Sequence, residues 1–97
     1  MPLYIGLFKW TDHGVRNVHD AVTRVEQSRG RLERVGGRAI GHWWTQGAYD
    51  IVWVAELPDD EAASVWALSA ARNGHVRTEL IRAYTQEEMQ GILQKLL

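Results

Sequence analysis

Apolar residues follow one another with little interruption from Leu3 to Trp10 and again from Ile51 to Ala55. Runs of that length, bounded by turn-forming residues, predict strands buried on both faces rather than on one. Thr11-Asp12-His13-Gly14 breaks the first strand, with Asp12 placed to cap a short turn. Asp20 stands where it can cap a helix carrying Val22, Val25, Leu32 and Val35, an interrupted stripe that Gly36-Gly37 brings to a stop. A second strand is expected over residues 38–45, a turn at Gln46-Gly47-Ala48, and a third strand over 49–57. Pro58-Asp59-Asp60-Glu61 starts a second helix through residue 72, its acids at the positive end of the helix dipole, and Asn73-Gly74 ends it. A fourth strand covers 76–84. Thr85-Gln86-Glu87-Glu88 then fits a capping box, followed by Met89, Ile92, Leu93, Leu96 and Leu97 on one helical stripe.

The order is βαββαβ plus a terminal helix, which predicts an α+β, ferredoxin-like domain with a four-stranded antiparallel sheet over residues 1–97. The apolar first and third strands belong at its centre. The edges carry Arg38 and His42, or Arg77, Glu79 and Arg82, as edge protection demands. Strict alternation puts Ile40, His42 and Trp44 on one face of the second strand and Ala39, Gly41 and Trp43 on the other. In the first strand Tyr4, Gly6, Phe8 and Trp10 alternate with Leu3, Ile5, Leu7 and Lys9. Both sheet faces therefore carry large apolar groups, while the crossover helices cover only one. Apolar area left in water costs about 25 cal/mol per Å². A second copy of the same face removes that cost, so the expected partner is the chain itself, in a homodimer built as a dimeric α/β barrel. The terminal stripe can pack on its own chain or reach over the partner.

Composition narrows the chemistry. Eleven Lys and Arg against twelve Asp and Glu give a net charge of −1, which removes the bulk electrostatic argument for nucleic acid or an anionic membrane as partner. The absence of cysteine excludes disulfides, thiolate metal sites and cysteine nucleophiles. No apolar run approaches the roughly 18 residues of a membrane-spanning helix, and the N-terminal residues lack the pattern of a signal peptide, so a cytoplasmic location is expected. Five Trp in 97 residues are difficult to bury in one small core; some of that aromatic area belongs at an interface or in a pocket.

Three segments carry a family resemblance. They are Tyr4-Ile5-Gly6-Leu7-Phe8-Lys9-Trp10 running into Thr11-Asp12-His13-Gly14-Val15-Arg16-Asn17, then Gly47-Ala48-Tyr49-Asp50, then Gly74-His75-Val76-Arg77-Thr78-Glu79. Together they resemble the GYD domain family, small bacterial proteins named for a Gly-Tyr-Asp motif. The resemblance implies a dimeric α/β barrel of the ferredoxin-like class and no particular activity. The Trp43-Trp44 pair, Trp53, and Val22 with its neighbours depart from the family's pattern.

The residue types leave several chemistries open. Tyr49-Asp50 offers a phenol and a carboxylate for a polar ligand or a proton transfer, or else simply builds the turn. Arg77 and Glu79 share a strand face near Lys9, with Asp12 and Asn17 just beyond, an arrangement suited to a carboxylate or carbonyl group and equally to a charge ladder. His42 beside Trp44 is the candidate for catalysis, or for haem by analogy of fold. The four His show no recognised metal spacing, and no cofactor is expected. The arginines at 24, 29, 31, 34 and 38 read as a solvated helix face, and Asp59, Asp60 and Glu61 as capping. A free amine at Pro2 does not match the tautomerase pattern. The leading expectation is a homodimer that binds a small aromatic or carboxylate-bearing molecule in a barrel cavity through Lys9, Asp12, Asn17, Trp44, Arg77 and Glu79. The alternatives are a cofactor-independent oxygenase or isomerase using His42, Tyr49 and Asp50, and an interaction module without ligand.

Overall fold

The computed structural model describes residues 1–96. Four strands, β1 (Leu3–Trp10), β2 (Arg38–Trp44), β3 (Ile51–Glu56) and β4 (Val76–Ala83), form one antiparallel sheet in the order β2-β3-β1-β4. Among the described residues the helices are α1 (Asp12–Arg16), α2 (Ala21–Arg34), α3 (Asp60–Arg72) and α4 (Gln86–Gln94), with a short 3₁₀ turn at Val18–Asp20. The fold is α+β. The two most apolar strands, β1 and β3, lie at the centre of the open sheet, and the charged strands form its edges. None of these helices is long and apolar enough to cross a membrane.

One face of the sheet meets α2 and α3. Tyr4 and Phe8 of β1, with Ile51, Trp53 and Ala55 of β3, pack on Val25 and Leu32 of α2 and on Ala63, Trp66 and Ala70 of α3. Trp66 is the centre of this layer. Its ring lies 5.5 Å from Trp53 and 5.7 Å from Phe8, and its indole N–H donates to the carbonyl and the hydroxyl of Ser28, both at 3.2 Å. Among the described residues no helix covers the opposite face. Pairing of Leu3, Ile5, Leu7 and Lys9 with Glu56, Val54 and Val52 on one side and Ala83, Ile81, Glu79 and Arg77 on the other defines it.

Several local readings change. The α2 residues facing the sheet are Ala21, Val25, Ser28 and Leu32; Val22 points to solvent at 64% exposure, so the inner stripe is smaller and more polar than the Val residues suggest. Asp20 precedes α2 without a side-chain hydrogen bond to it. Thr11, not Asp12, caps α1: its hydroxyl accepts from Gly14 N at 3.1 Å and donates to the Gly74 carbonyl at 2.6 Å. A bulge between Ala39 and Gly41 reverses the alternation of β2. The extra residue puts Ala39 on the helix-side face with His42 and Trp44, leaves Ile40 exposed, and turns Gly41 and Trp43 to the open face. Other punctuation is as the residue types dictate. α2 ends with Gly36 at φ 84°, the amides of Gly36 and Gly37 bonding back to Glu33 and Leu32. Asp59 caps α3, and Thr85 and Glu88 form a reciprocal capping box on α4. Every residue of α4 is exposed, including Met89, Ile92 and Leu93. Of the expected C-terminal stripe, Leu97 lies outside the described residues.

Tyr4 ties the central strand to α3. Its hydroxyl donates a short hydrogen bond to the Asp60 carboxylate, and that bond, reinforced by burial and the negative charge of Asp60, pushes the phenol pKa up to about 12 from 10.0. The unfolded chain ionises its tyrosine first. The stabilisation is therefore complete below pH 10 and is lost as pH rises through about 12. Denaturant titrations across this window should show the wild type losing stability more steeply than Tyr4→Phe. Parallel pH curves for the two proteins would refute the role of this bond.

Candidate functional site

Backbone bonds at the β2–β3 hairpin decide where the Tyr49-Asp50 pair lies. Thr45 N bonds to the Asp50 carbonyl at 2.9 Å, Thr45 Oγ1 donates to the Tyr49 carbonyl at 2.6 Å, and Asp50 N bonds to the Phe8 carbonyl at 2.9 Å. The Asp50 carboxylate then accepts from Trp10 N at 2.9 Å, which fixes the end of β1 to the start of β3. Tyr49 turns the other way, toward the open sheet face. Its hydroxyl donates to Glu79 Oε2 at 2.6 Å, which raises the phenol pKa, and Lys9 Nζ stands 5.5 Å from the ring centroid. Arg77 pairs with Lys9 across β1 and β4. A solvent-facing polar group of mixed charge thus borders the apolar open face.

The other face holds a cavity of about 440 Å³ between α2 and the sheet. Its origin is the size of the inward residues of α2. Ala21, Val25 and Ser28 are short side chains opposite Phe8, Ile51 and Trp53 of the sheet, and all six line the cavity, whereas the longer Leu32 is fully buried. Trp10, Val76 and Ala70 complete the apolar wall. Arg24, Arg31, Asn73, His75 and Asp20 supply polar groups.

α1 packs against His75, one of the lining residues. Thr11 N bonds to the His75 carbonyl at 3.1 Å, and Gly14 lies directly against that carbonyl. Asn17 caps α1, its amide donating to the His13 carbonyl at 2.8 Å, and Arg24 donates to the Asn17 carbonyl at 2.7 Å. These bonds bring the His13 and His75 rings to 4.6 Å. Burial lowers the His75 pKa, and the neighbouring Arg24 and His13 add to the effect against an opposing contribution from Asp20. Burial also lowers the Arg31 pKa, with Arg34 and Arg72 contributing repulsion. Two buried nitrogens in this lining, Arg31 Nε and His75 Nδ1, have no hydrogen-bond partner among the described residues.

The family model for the GYD domain matches residues 4–93 of the 97-residue chain. The chain belongs to the GYD domain family. No curated protein matches it. In this GYD domain the motif residues divide. Tyr49 borders the open face, and Asp50 serves the backbone of β1.

The residues singled out in the sequence do not converge on one place in this GYD domain. Lys9, Tyr49, Arg77 and Glu79 come together on the open face. Asp12 and Asn17 belong to α1 and its cap. His42 and Trp44 lie on the helix side of β2. There the His42 ring stacks on Trp53 at 4.7 Å, meets Trp44 edge-on, and accepts a hydrogen bond at Nδ1 from Arg29 at 3.1 Å. None of these eight residues, nor Asp50, lines the cavity. The arginines also separate. Arg38 pairs with Glu56 at 2.6 Å and Arg29 with Glu26 at 3.5 Å, whereas Arg24 and Arg31 line the cavity instead of forming a solvated face. A signal for this was present: positions 24, 28 and 31 recur at helical spacing, so Arg24 and Arg31 share the face of a small polar residue, Ser28.

Proposed function

We propose that this GYD domain binds a small organic molecule in the cavity between α2 and the sheet. One observation carries the reading: an aromatic-floored cavity of about 440 Å³, within the size range of ligand sites, is lined by Arg31 and His75, each of which carries a buried nitrogen without a hydrogen-bond partner among the described residues. Buried polar groups are ordinarily satisfied, and a ligand supplies what the chain leaves open. A neutral two-ring probe, 2-naphthamide, tests it by NMR on the five tryptophan indole N–H signals. The Trp10 and Trp53 signals should shift, since both rings line the cavity, while that of Trp43 stays in place. No shift up to the solubility limit, or shifts centred on Trp43, would overturn the reading.

The assembly we infer is a pair of chains joined through their open sheet faces, in the ferredoxin-like, dimeric α/β barrel arrangement. The βαββαβ order and the β2-β3-β1-β4 sheet support it. So does the open face, where Leu3, Ile5, Leu7, Val52, Val54 and Ile81 form an apolar field bordered by Lys9 and Arg77 as well as Glu79 and Glu56. Both charge signs on one border make the face complementary to a copy of itself. Light scattering should find two copies of the wild type and one copy of Ile5→Glu, whose substitution falls at the centre of the field. Trp43→Glu, at the exposed edge of the same face, gives a gentler version of the test. A wild type of one copy, or pairs that survive both changes, would sink this assembly.

A further inference from the structure

We propose that the ligand of the α2 cavity is a planar aromatic carboxylate whose acid group pairs with Arg31; this rests on the cavity being a binding site at all. The charge around the cavity is one-sided. Arg24, Arg31 and His75 line it against a single acid, Asp20. Arg24 is already engaged, donating to the backbone carbonyls of Asn17 and Gly14. Arg31 is not: it takes part in no ion pair among the described residues, and its Nε is buried without a partner. Arg34 and Arg72 lie close enough to repel it, so its surroundings add to the positive potential instead of cancelling it. A partly buried cation held among cations is costly, and an anion entering beside it removes the cost.

The unpaired guanidinium of Arg31 also indicates the kind of anion. Its planar group carries parallel N–H donors, the fork that matches the two oxygens of a carboxylate. The remaining surface suits a flat ring system. Phe8, Trp10 and Trp53 provide the aromatic floor, and Val25 with Ala70 the facing wall. His75, the other lining residue with an unpartnered nitrogen, is the imidazole placed to bond another substituent on the ring.

The test compares 2-naphthoate with 2-naphthamide, probes of nearly the same shape that differ in charge, by calorimetry on the full chain. A charge-assisted bond to Arg31 should make the wild type bind the carboxylate roughly 10- to 100-fold more tightly than the amide. Arg31→Gln should abolish that preference, bringing 2-naphthoate to the affinity of 2-naphthamide or below in the same variant, and Arg31→Lys should restore part of it. Naphthamide binding with no preference for naphthoate would overturn the anion assignment alone. A preference that persists in Arg31→Gln would overturn the role of Arg31. Failure of both probes to bind would overturn the cavity reading and this inference with it. Should Arg31→Gln fail to fold, the wild-type ratio and the Arg31→Lys measurement still decide.

Discussion

Trp66→Ala should leave a chain only marginally folded at ambient temperature. Trp66 has 0% exposure and touches both layers of the core, with Trp53 and Phe8 beneath it and Ser28 of α2 beside it. Truncation removes the largest buried side chain of α3, opens a void against two aromatic rings, and strips the Ser28 hydroxyl of its donor. Substitutions of this kind cost about 3–5 kcal/mol. Small domains have only about 5–15 kcal/mol in total, and a chain of this length sits toward the low end. Far-UV circular dichroism with thermal melting measures the outcome. A cooperative transition within a few degrees of the wild type would contradict the packing described for Trp66. Trp66→Phe retains part of the ring contact but loses the N–H bonds to Ser28, so its loss should be clearly smaller.

A second large effect is expected at Gly14, on α1 and remote from the main core. A Cβ placed there would lie 2.0 Å from the His75 carbonyl oxygen, a backbone atom that cannot rotate away. Either α1 or the start of β4 must move. Overpacking typically costs about 1–3 kcal/mol, and a rigid backbone obstacle puts Gly14→Ala at or above the upper end. That corresponds to a melting temperature lower by roughly 10–20 °C in a domain of this size. The damage should be local as well as global. Thr11 N bonds to the same carbonyl, and the His13 ring meets that of His75, which lines the cavity with Trp10, so indole and imidazole signals of Trp10 and His75 should move. Gly47→Ala offers a comparison: no atom lies within 4 Å of its added Cβ, and the cost there comes only from its φ of 96°. If Gly14→Ala melts with the wild type, the close approach of α1 to β4 is wrong.

The contrast between these sites separates what pattern can convey from what packing decides. Gly14 is visible in the sequence only as a turn residue. Its actual constraint is steric and comes from His75, 61 positions along the chain. The convergence of Lys9, Arg77 and Glu79 was legible because alternation along paired strands is a period-2 rule, and nothing interrupts β1 or β4. The same rule misplaces Ala39 and Ile40, since a bulge adds one residue that no hydrophobic pattern announces. His42 and Trp44 consequently keep their mutual face but acquire a neighbour, Ala39, assigned to the other side.

By itself the sequence determined the order of the four strands with α2, α3 and α4, the central position of β1 and β3, the caps of α3 and α4, and the presence of apolar groups on both sheet faces, but not α1, which it showed only as a turn. These follow from local propensity and from the free energy of burying apolar runs, quantities carried by neighbouring residues. Tertiary structure alone decided the rotation of α2 that turns Val22 outward and Ala21, Val25 and Ser28 inward. It thereby decided the cavity, and it drew Arg31 and His75 into the lining. A void is the difference between two packed surfaces, so its size and charge depend on side chains from α2, α3 and three strands at once, and no single stretch of chain encodes it.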